Sequence, residues 1–200
     1  GIETPDEQGL AECNKVQNEG RDMISAVKTL QQTGIEVQGG FIVGFDRDTP
    51  SIFRQQIEFI QRSGIITAMV GLLQAPYGTR LYERLKKEGR LLGHQSGNNT
   101  DDTMNFKPLM DTKILHEGYR LILKTIYSPR GYYERVRTFL KEYKPSDIVR
   151  PVMSWDYLAA FFRSIVILGV RGKERLEYWR LFIWTLLHRP RLFPLAITFA

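Results

Sequence analysis

The sequence predicts an α/β domain of about three strand–helix units with parallel strands, followed by an all-helical extension. A short pattern recurs about thirty residues apart, as QQTGIEV at 31–37 and QRSGIIT at 61–67. In both copies a glycine that can end a helix is followed by an apolar stretch, as in repeated strand–helix units. The predicted strands, Ile35–Phe45 and Ile65–Leu73, are almost continuously apolar, which is typical of parallel strands covered on both faces. Such units build an open doubly wound sheet or a sector of a (β/α) barrel.

The elements of the α/β part follow in order along the chain. Gly1–Thr4 is expected to be the tail of a preceding strand, and the chain is therefore expected to be the second half of a longer protein. Arg21–Thr33 is predicted to be a helix because its apolar residues recur at helical spacing. Thr49 and Pro50 are typical of a helix start and introduce a second helix. The polar, aperiodic stretch Gly93–Thr103 predicts a loop.

Only helices are predicted after this loop. They are Asp111–Ile126, a helix that starts at Ser128-Pro129, a helix from a Ser154 cap through Leu168, and Lys173–Leu187. The predicted organisation is therefore an α/β part at 1–91, a linker at 92–110 and a helical extension at 111–200.

The composition is that of a folded globular chain, with 42% apolar and 25% charged residues. The single cysteine, Cys13, excludes an internal disulfide and any metal cluster held by cysteines alone. One cysteine also favours a reducing compartment, so the chain is expected to be cytoplasmic, with a contact at the membrane surface as an option. The apolar stretches are too short and too interrupted by arginine to span a bilayer.

The net charge of +6 is concentrated at the C-terminal end, where 150–200 carries eight Arg or Lys against three Asp or Glu. This segment is either a solvated helical face around an apolar core or a surface for membranes or partner proteins. Of the binding alternatives a membrane surface is favoured, because the segment is apolar as well as basic. No nucleic-acid partner is expected, since no DNA- or RNA-binding motif accompanies the charge.

The stretch GGFIVGFD at 39–46 is the most informative in the chain. Glycines weaken a strand, so their presence indicates a close approach by a ligand or by a packed helix. Ligands of such folds bind at the C-terminal ends of the parallel strands. The chain has no P-loop and no GxGxxG fingerprint, and its three histidines form no metal-binding pair, so no metal site is predicted.

Three motifs, GIETPDEQGL at 1–10, VQGGFIVGFDRDTPSIF at 37–53 and VGLLQAPYGTRLYERLKKEGRL at 70–91, resemble the second half of the radical S-adenosylmethionine (SAM) enzyme domain. The resemblance is greatest to the group with an N-terminal cobalamin-binding domain and a C-terminal helical extension, which includes bacterial hopanoid methylases. It implies that 1–91 is the C-terminal part of a partial (β/α) barrel, with strands four to six. Asn105–Tyr143 resembles the extension.

The resemblance also implies cofactor-binding residues. They are Glu3, Gly40, Ile42, Gly44, Gln74 and Pro76. The glutamate would lie near the ribose or methionine part of SAM, and the glycines would let strand five pass against the adenine. The last two residues would close the top of strand six near the cofactor or substrate. Arg47 stands where many relatives have an acid, and no catalytic residue is assigned.

The reaction of this group needs a four-iron–four-sulfur cluster on a Cys-x3-Cys-x2-Cys loop, with SAM on the fourth iron. This chain has no such loop, so by itself it is expected to be inactive. The longer enzyme would cleave SAM to a 5′-deoxyadenosyl radical, with cobalamin-dependent methylation of a small-molecule or lipid-like substrate as the favoured outcome. The alternative is a non-catalytic basic helical module that docks on a membrane or a protein. Open sheet edges predict self-association of the chain.

Overall fold

The computed structural model describes residues 2–93, 102–145 and 155–200. Its helices are α1 (Glu7–Glu12), α2 (Met23–Gln32), α3 (Ser51–Ser63), α4 (Arg80–Lys87), α5 (Thr112–Ile126), α6 (Pro129–Glu142), α7 (Trp155–Ser164), α8 (Arg175–His188) and α9 (Phe193–Thr198). Its strands are β1 (Gly39–Val43) and β2 (Ala68–Leu72). Short 3-10 turns lie at Val16–Asn18 and Pro190–Leu192, and α7 continues as the π-helical segment Ile165–Arg171.

The two strands lie inside the predicted ranges 35–45 and 65–73 and are shorter than those ranges. Gly34 and Gly64 have φ angles of +86° and +71°, so each ends its helix in the left-handed conformation that the repeated pattern predicts. The residues directly after each glycine complete this turn before strand pairing begins. The strands are therefore confined to the segments that form the parallel ladder.

β1 and β2 pair in parallel, with Gly40 opposite Met69 and Ile42 opposite Gly71. Glu3 extends the ladder on the other side of β1: its N–H donates to the Gly40 carbonyl at 3.0 Å, and the Ile42 N–H donates to the Glu3 carbonyl at 2.7 Å. The predicted tail of a preceding strand is thus a single parallel bridge. A partial (β/α) barrel would need further strands and stays a prediction, as does self-association through an open edge.

The chain forms two compact units, each assembled from three segments. Unit 1 comprises Gly1–Met23, Gln38–Phe59 and Thr67–Thr125, and unit 2 comprises Ile24–Val37, Ile60–Ile66 and Ile126–Ala200. These units do not follow the predicted division at 91 and 110, which stays a prediction. Leu91, the residue before the predicted linker, forms an antiparallel bridge with Phe106 inside it. The middle of the predicted loop and the Ser154 cap lie outside the described residues.

One apolar cluster of unit 1 lies at the C-terminal ends of the strands. The buried residues of this cluster are Phe45, Leu73, Ala75, Leu85 and Phe106. α4 closes one side of it, and its start is fixed because the Thr79 hydroxyl accepts a hydrogen bond from the Tyr82 N–H at 3.2 Å. The core therefore holds the loops that follow β1 and β2 in place.

Unit 2 is built around α6. Its buried cluster consists of Ile66, Tyr133, Val136, Phe139, Leu140, Tyr178, Leu181, Leu192 and Ala196. α6 starts as the sequence predicts, with the Ser128 hydroxyl accepting from the Gly131 N–H at 3.1 Å and Pro129 in the first turn. Gly64 packs against this helix so closely that a Cβ there would lie 2.9 Å from the backbone nitrogen of Phe139.

The aromatic residues of α6 belong to this core. Tyr133 is 3% exposed, and its hydroxyl donates to the Ala200 carbonyl at 3.1 Å. Tyr132 is half-buried and donates to the Phe199 carbonyl at 2.9 Å. Burial raises the pKa of Tyr133 to about 12. Among the described residues, no helix is long and apolar enough to cross a membrane.

Candidate functional site

The sheet has one covered face and one open face. In β1, Gly39, Phe41 and Val43 are buried, whereas Gly40 and Ile42 are only half-buried. Their register partners in β2 are Met69, which is 63% exposed, and the half-buried Gly71. We call these four residues, Gly40, Ile42, Met69 and Gly71, the open face.

Gly40 leaves a space above the open face. A Cβ built at this position meets no atom of the described residues within 4 Å. The side chains of the covered face pack in the core: Phe41 contacts Phe59 of α3 edge-on, with ring centroids 5.8 Å apart. The absence of a side chain at Gly40 therefore has no packing reason in the described part of unit 1. A flat group could lie directly on the strand there.

Gly44, the other motif glycine, has a different environment. Its φ angle is +107°, a conformation that favours glycine. An added Cβ would lie 3.3 Å from the Met104 methyl carbon and 3.4 Å from a Leu115 methyl carbon. Packing within unit 1 thus explains this glycine without a ligand, and its predicted contact with adenine stays a prediction.

Asp48 holds the turn that leaves β1. Its Oδ2 accepts hydrogen bonds from the N–H groups of Gly44 at 2.8 Å and Phe45 at 3.1 Å. Its Oδ1 is buried and has no hydrogen-bond partner among the described residues. Burial raises the pKa of Asp48 to about 6, and the two N–H groups only partly offset this effect. The turn is therefore fixed by a carboxylate that is costly to ionise.

We expect Asp48→Asn to remove a pH-dependent loss of stability. Because the folded pKa of about 6 lies above the ordinary 3.8, the folded state binds more protons between these values. The free energy of unfolding should then fall by about 2 kcal/mol as the pH rises from about 4.5 to about 7.5, and stay low above it. The asparagine keeps an acceptor for both N–H groups and cannot ionise. Urea denaturation across this pH range should show a flatter profile for the variant.

Asp46→Asn is the matched control for this prediction. A hydrogen bond from Arg90 lowers the pKa of Asp46, so its ionisation stabilises the folded state and is lost at low pH. This variant should lose stability at neutral pH, opposite in sign to Asp48→Asn. Equal pH profiles for wild type and Asp48→Asn would show that Asp48 titrates normally.

Asp46 is the centre of an ion-pair network beyond the end of β1. Its carboxylate accepts from Arg84 at 2.7 Å and from Arg90 at 2.6 Å. Glu12 pairs with Arg84 at 3.3 Å and also accepts from the N–H groups of Asp46 and Arg47. A cavity of about 660 Å³ lies beside this network, lined in part by the exposed Arg47. The two carboxylates, Glu12 and Asp46, are paired with Arg84 and Arg90. These ion pairs stabilise the loop that follows β1.

The predicted site residues after β2 take part in a second set of contacts. The Gln74 amide donates to the Thr103 carbonyl. The side chain of buried Asn105 accepts from the Ala75 N–H at 2.9 Å and donates to the Ala75 carbonyl at 2.8 Å. It thus takes the place of a paired strand for a residue that follows β2. Pro76 is exposed. The amide of Gln74 is thus engaged in holding the 103–105 segment.

The predicted site residue of the first motif, Glu3, lies next to β1 and forms a bridge with Phe41. Glu3 hydrogen-bonds through its backbone to Gly40 and Ile42, and its carboxylate pairs with Lys15 at 3.1 Å. Its φ angle of +69° is unusual for a residue with a side chain. Burial raises the pKa of the Cys13 thiol, as does the nearby charge of Glu3. The structure therefore brings the backbone of Glu3 next to Gly40 and Ile42 of β1.

One pair of polar residues was not predicted as part of a site. His116 on α5 meets the Asp102 carboxylate through Nδ1 at 2.5 Å, and Arg120, one turn later, donates to the same carboxylate through Nε at 2.8 Å. The aspartate therefore orients the His116 ring through Nδ1. The helical spacing of His116 and Arg120 is visible in the sequence, but their shared partner lies in a polar loop. No group of three possible metal ligands occurs among the described residues.

Comparisons with known proteins identify the family to which the chain belongs. The family model described as "Domain of unknown function (DUF4070)" matches residues 79–200. An uncharacterized methyltransferase of Synechocystis sp., sll1242, is 31% identical over 203 residues, which cover 99% of this chain and 38% of that protein. A hopanoid C-2 methylase of Rhodopseudomonas palustris is 28% identical over 187 residues, which cover 90% of this chain and 34% of that protein.

The chain thus spans less than two fifths of the length of these curated relatives. No solved structure matches the chain. The family model covers more than half of the chain, and the two relatives carry the methylase names that the three motifs predict. The chain therefore belongs to the family described as "Domain of unknown function (DUF4070)", a radical SAM methylase-like family.

Proposed function

We propose that this chain is the part of a radical SAM methylase that holds SAM against the open face of its sheet. The observation that carries the proposal is the empty space above Gly40, on the one strand where the sequence places adjacent glycines. Two neighbouring positions of that face, Gly40 and Gly71, lack side chains, so a planar base can lie against the backbone. When bound, SAM supplies the radical that abstracts hydrogen from the substrate.

The residues of this chain would bind and orient the cofactor. Ile42 offers an apolar contact next to the space above Gly40 and keeps water from that part of the sheet. The Glu3 carboxylate, beside the same strand, can accept hydrogen bonds from hydroxyl or ammonium groups. The turn held by Asp48 and the network around Asp46 fix the C-terminal end of β1, so this part of the binding surface is rigid before the ligand arrives.

The substrate we propose is an apolar, lipid-like molecule that receives a methyl group. Two observations support it: one relative is named a hopanoid C-2 methylase, and the open face continues from Gly40 onto the exposed side chain of Met69. The four-iron cluster and cobalamin that this chemistry needs would be held by other parts of the enzyme. Their presence is tested by the iron and cobalt content of the intact protein.

The open-face proposal is tested with Gly40→Leu. We expect this variant to lower SAM affinity at least tenfold in the intact enzyme, because a leucine fills the space that the base would occupy. The melting temperature should stay within about 2 °C of wild type, since an added Cβ meets nothing and leucine suits a strand better than glycine. Calorimetry with SAM and thermal unfolding measure the two effects.

Gly93→Leu is the control, since a Cβ at Gly93 also meets no described atom within 4 Å and Gly93 belongs to neither strand. It should change neither affinity nor stability. Wild-type SAM affinity in Gly40→Leu would show that the cofactor does not lie on this face. A large loss of stability in the same variant would instead show that another element covers the face.

A further inference from the structure

The helical hairpin of unit 2, formed by α7 with its π-helical segment and by α8, has a well-defined inner side. The Trp179 indole donates to the Gly169 carbonyl at 2.9 Å, and the hydroxyls of Ser164 and Tyr178 are 3.0 Å apart. A Cβ at Gly169 would lie 3.1 Å from the Tyr178 ring, so the two helices are in close contact there. These contacts fix which side of each helix points away from the core.

The outer side of the same hairpin is apolar and exposed. Its large apolar residues are Phe162, Val166, Ile167 and Val170 before the turn, and Leu176, Ile183 and Leu187 after it, with exposed fractions between 47% and 74%. We call these residues the outer stripe. In α8 the stripe recurs at i, i+7 and i+11, opposite the buried Tyr178, Leu181 and Thr185. The helix is therefore apolar on both sides, unlike a helix whose outer side faces only water.

Five exposed or partly exposed cations lie close to the outer stripe in the sequence. Arg163, Arg171, Lys173, Arg175 and Arg191 make no ion pair or side-chain hydrogen bond with any described residue. Three of them lie in or beside the turn between the helices, which is flanked by Val170 and Leu176 at 60% and 69% exposure. Glu174 is the only acid in that turn. Exposed apolar side chains at the tip thus alternate with positive charges that have no ion-pair partner in the described part of the chain.

We propose that this hairpin docks on an anionic lipid surface, with its tip inserted at the level of the headgroups. Val170 and Leu176 would enter the boundary between headgroups and acyl chains. Arg171, Lys173 and Arg175 would meet the lipid phosphates, and each such cation strengthens binding. This proposal does not depend on the methylase function.

The charge pattern favours lipid over the other possible occupants. In a symmetric pair of chains the same surface faces itself, so the cations at the turn would repel each other. Interfaces between proteins are also depleted in lysine at their centre, whereas this surface places Lys173 at its tip. An anionic membrane offers an apolar layer for the exposed apolar side chains and negative charge next to it for the cations.

The test is co-sedimentation of the intact protein with vesicles of phosphatidylcholine alone or with one quarter phosphatidylglycerol, at low salt. We expect binding to the anionic vesicles only. The variant Arg171→Glu with Lys173→Glu and Arg175→Glu should bind more than about a hundredfold more weakly, because three cations are lost and three anions are added. Leu176→Ser with Ile183→Ser and Leu187→Ser should also weaken binding at least tenfold. Circular dichroism verifies that both variants fold.

Matched controls change the same residue types elsewhere. Lys86→Glu with Lys87→Glu and Lys124→Glu reverses three exposed lysines of unit 1, and Leu92→Ser with Leu109→Ser removes two exposed leucines. Both should bind vesicles like wild type.

The proposal is wrong if wild type stays in the supernatant, or if the controls lose as much binding as the hairpin variants. It is also wrong if the outer-stripe variant dissociates a dimer seen by sedimentation in solution, because the occupant is then a second copy. Retention on nucleic acid but not on vesicles would overturn it as well.

Discussion

Replacing Arg135 with alanine is expected to lower the free energy of unfolding by about 3–5 kcal/mol. This side chain is fully buried in unit 2. Its Nη1 donates to the Ile126 carbonyl at 2.8 Å and to the Gln61 Oε1 at 2.9 Å, and its Nη2 donates to the Ile66 carbonyl at 3.1 Å. Truncation would leave two buried carbonyls and the partly buried Gln61 Oε1 without this donor, and it would also leave a cavity.

The arginine has no carboxylate partner among the described residues, and burial lowers its pKa. Its charge is stabilised in two other ways. The Ile126 carbonyl ends α5, where the helix dipole places partial negative charge. The guanidinium also lies 5.6 Å from the centre of the Tyr132 ring. Arg135 therefore ties together the ends of segments that are far apart in sequence.

Arg137→Ala is the control for this prediction, since Arg137 lies on the same helix, is half-exposed and has no polar side-chain contact with a described residue. Arg137→Ala should lower the free energy of unfolding by less than about 1 kcal/mol. Urea denaturation followed by circular dichroism measures both variants. Equal losses for Arg135→Ala and Arg137→Ala would show that the buried hydrogen bonds contribute little.

The second large effect is expected for Gly64→Ala, which should lower the free energy of unfolding by about 2–5 kcal/mol. The φ angle of Gly64 is +71°, which costs any residue with a Cβ about 1–2 kcal/mol. The new Cβ would also lie 2.9 Å from the backbone nitrogen and 3.1 Å from the Cα of Phe139. Backbone atoms inside a helix cannot turn aside as a side chain can, so α6 would have to shift.

Gly89→Ala separates the two contributions. Gly89 has a φ angle of +67°, but a Cβ there meets nothing within 4 Å. Replacing it with alanine should therefore lower the free energy of unfolding only by the cost of the positive φ angle. The difference between the urea midpoints of Gly64→Ala and Gly89→Ala then measures the clash with α6. If both variants unfold at the same midpoint, the contact with Phe139 is relaxed without cost.

Local signals in the sequence predicted the elements well where a single residue type decides the conformation. Gly34 and Gly64 end helices because glycine takes positive φ readily, and Ser128 caps α6 because its hydroxyl meets a free N–H. Arg135 shows the limit of this approach. In sequence it resembles any basic residue of an amphipathic helix, because its partners are backbone carbonyls 9 and 69 residues away and a side-chain amide 74 residues away.

The candidate site shows the same limit. From spacing alone, Gly40 and Gly44 suggest the same role, and only the structure distinguishes an open space from a packed contact. The neighbours of Gly44, Met104 and Leu115, belong to later parts of unit 1 and are brought near by tertiary packing. The contact between His116 and Asp102 could not be predicted either, because Asp102 follows a polar loop whose sequence does not indicate where it lies.

The interleaved segments of unit 2 affect how the chain can fold while it is being synthesised. Tyr143 donates to the Gly34 carbonyl at 3.2 Å, across 109 residues of sequence. At a translation rate of roughly 5–20 residues per second, α2 leaves the ribosome about 5–20 s before its partners on α6 exist. During that interval its apolar side is exposed to other nascent chains, so production of this protein should benefit from chaperones that hold the early segments and from slower growth at low temperature.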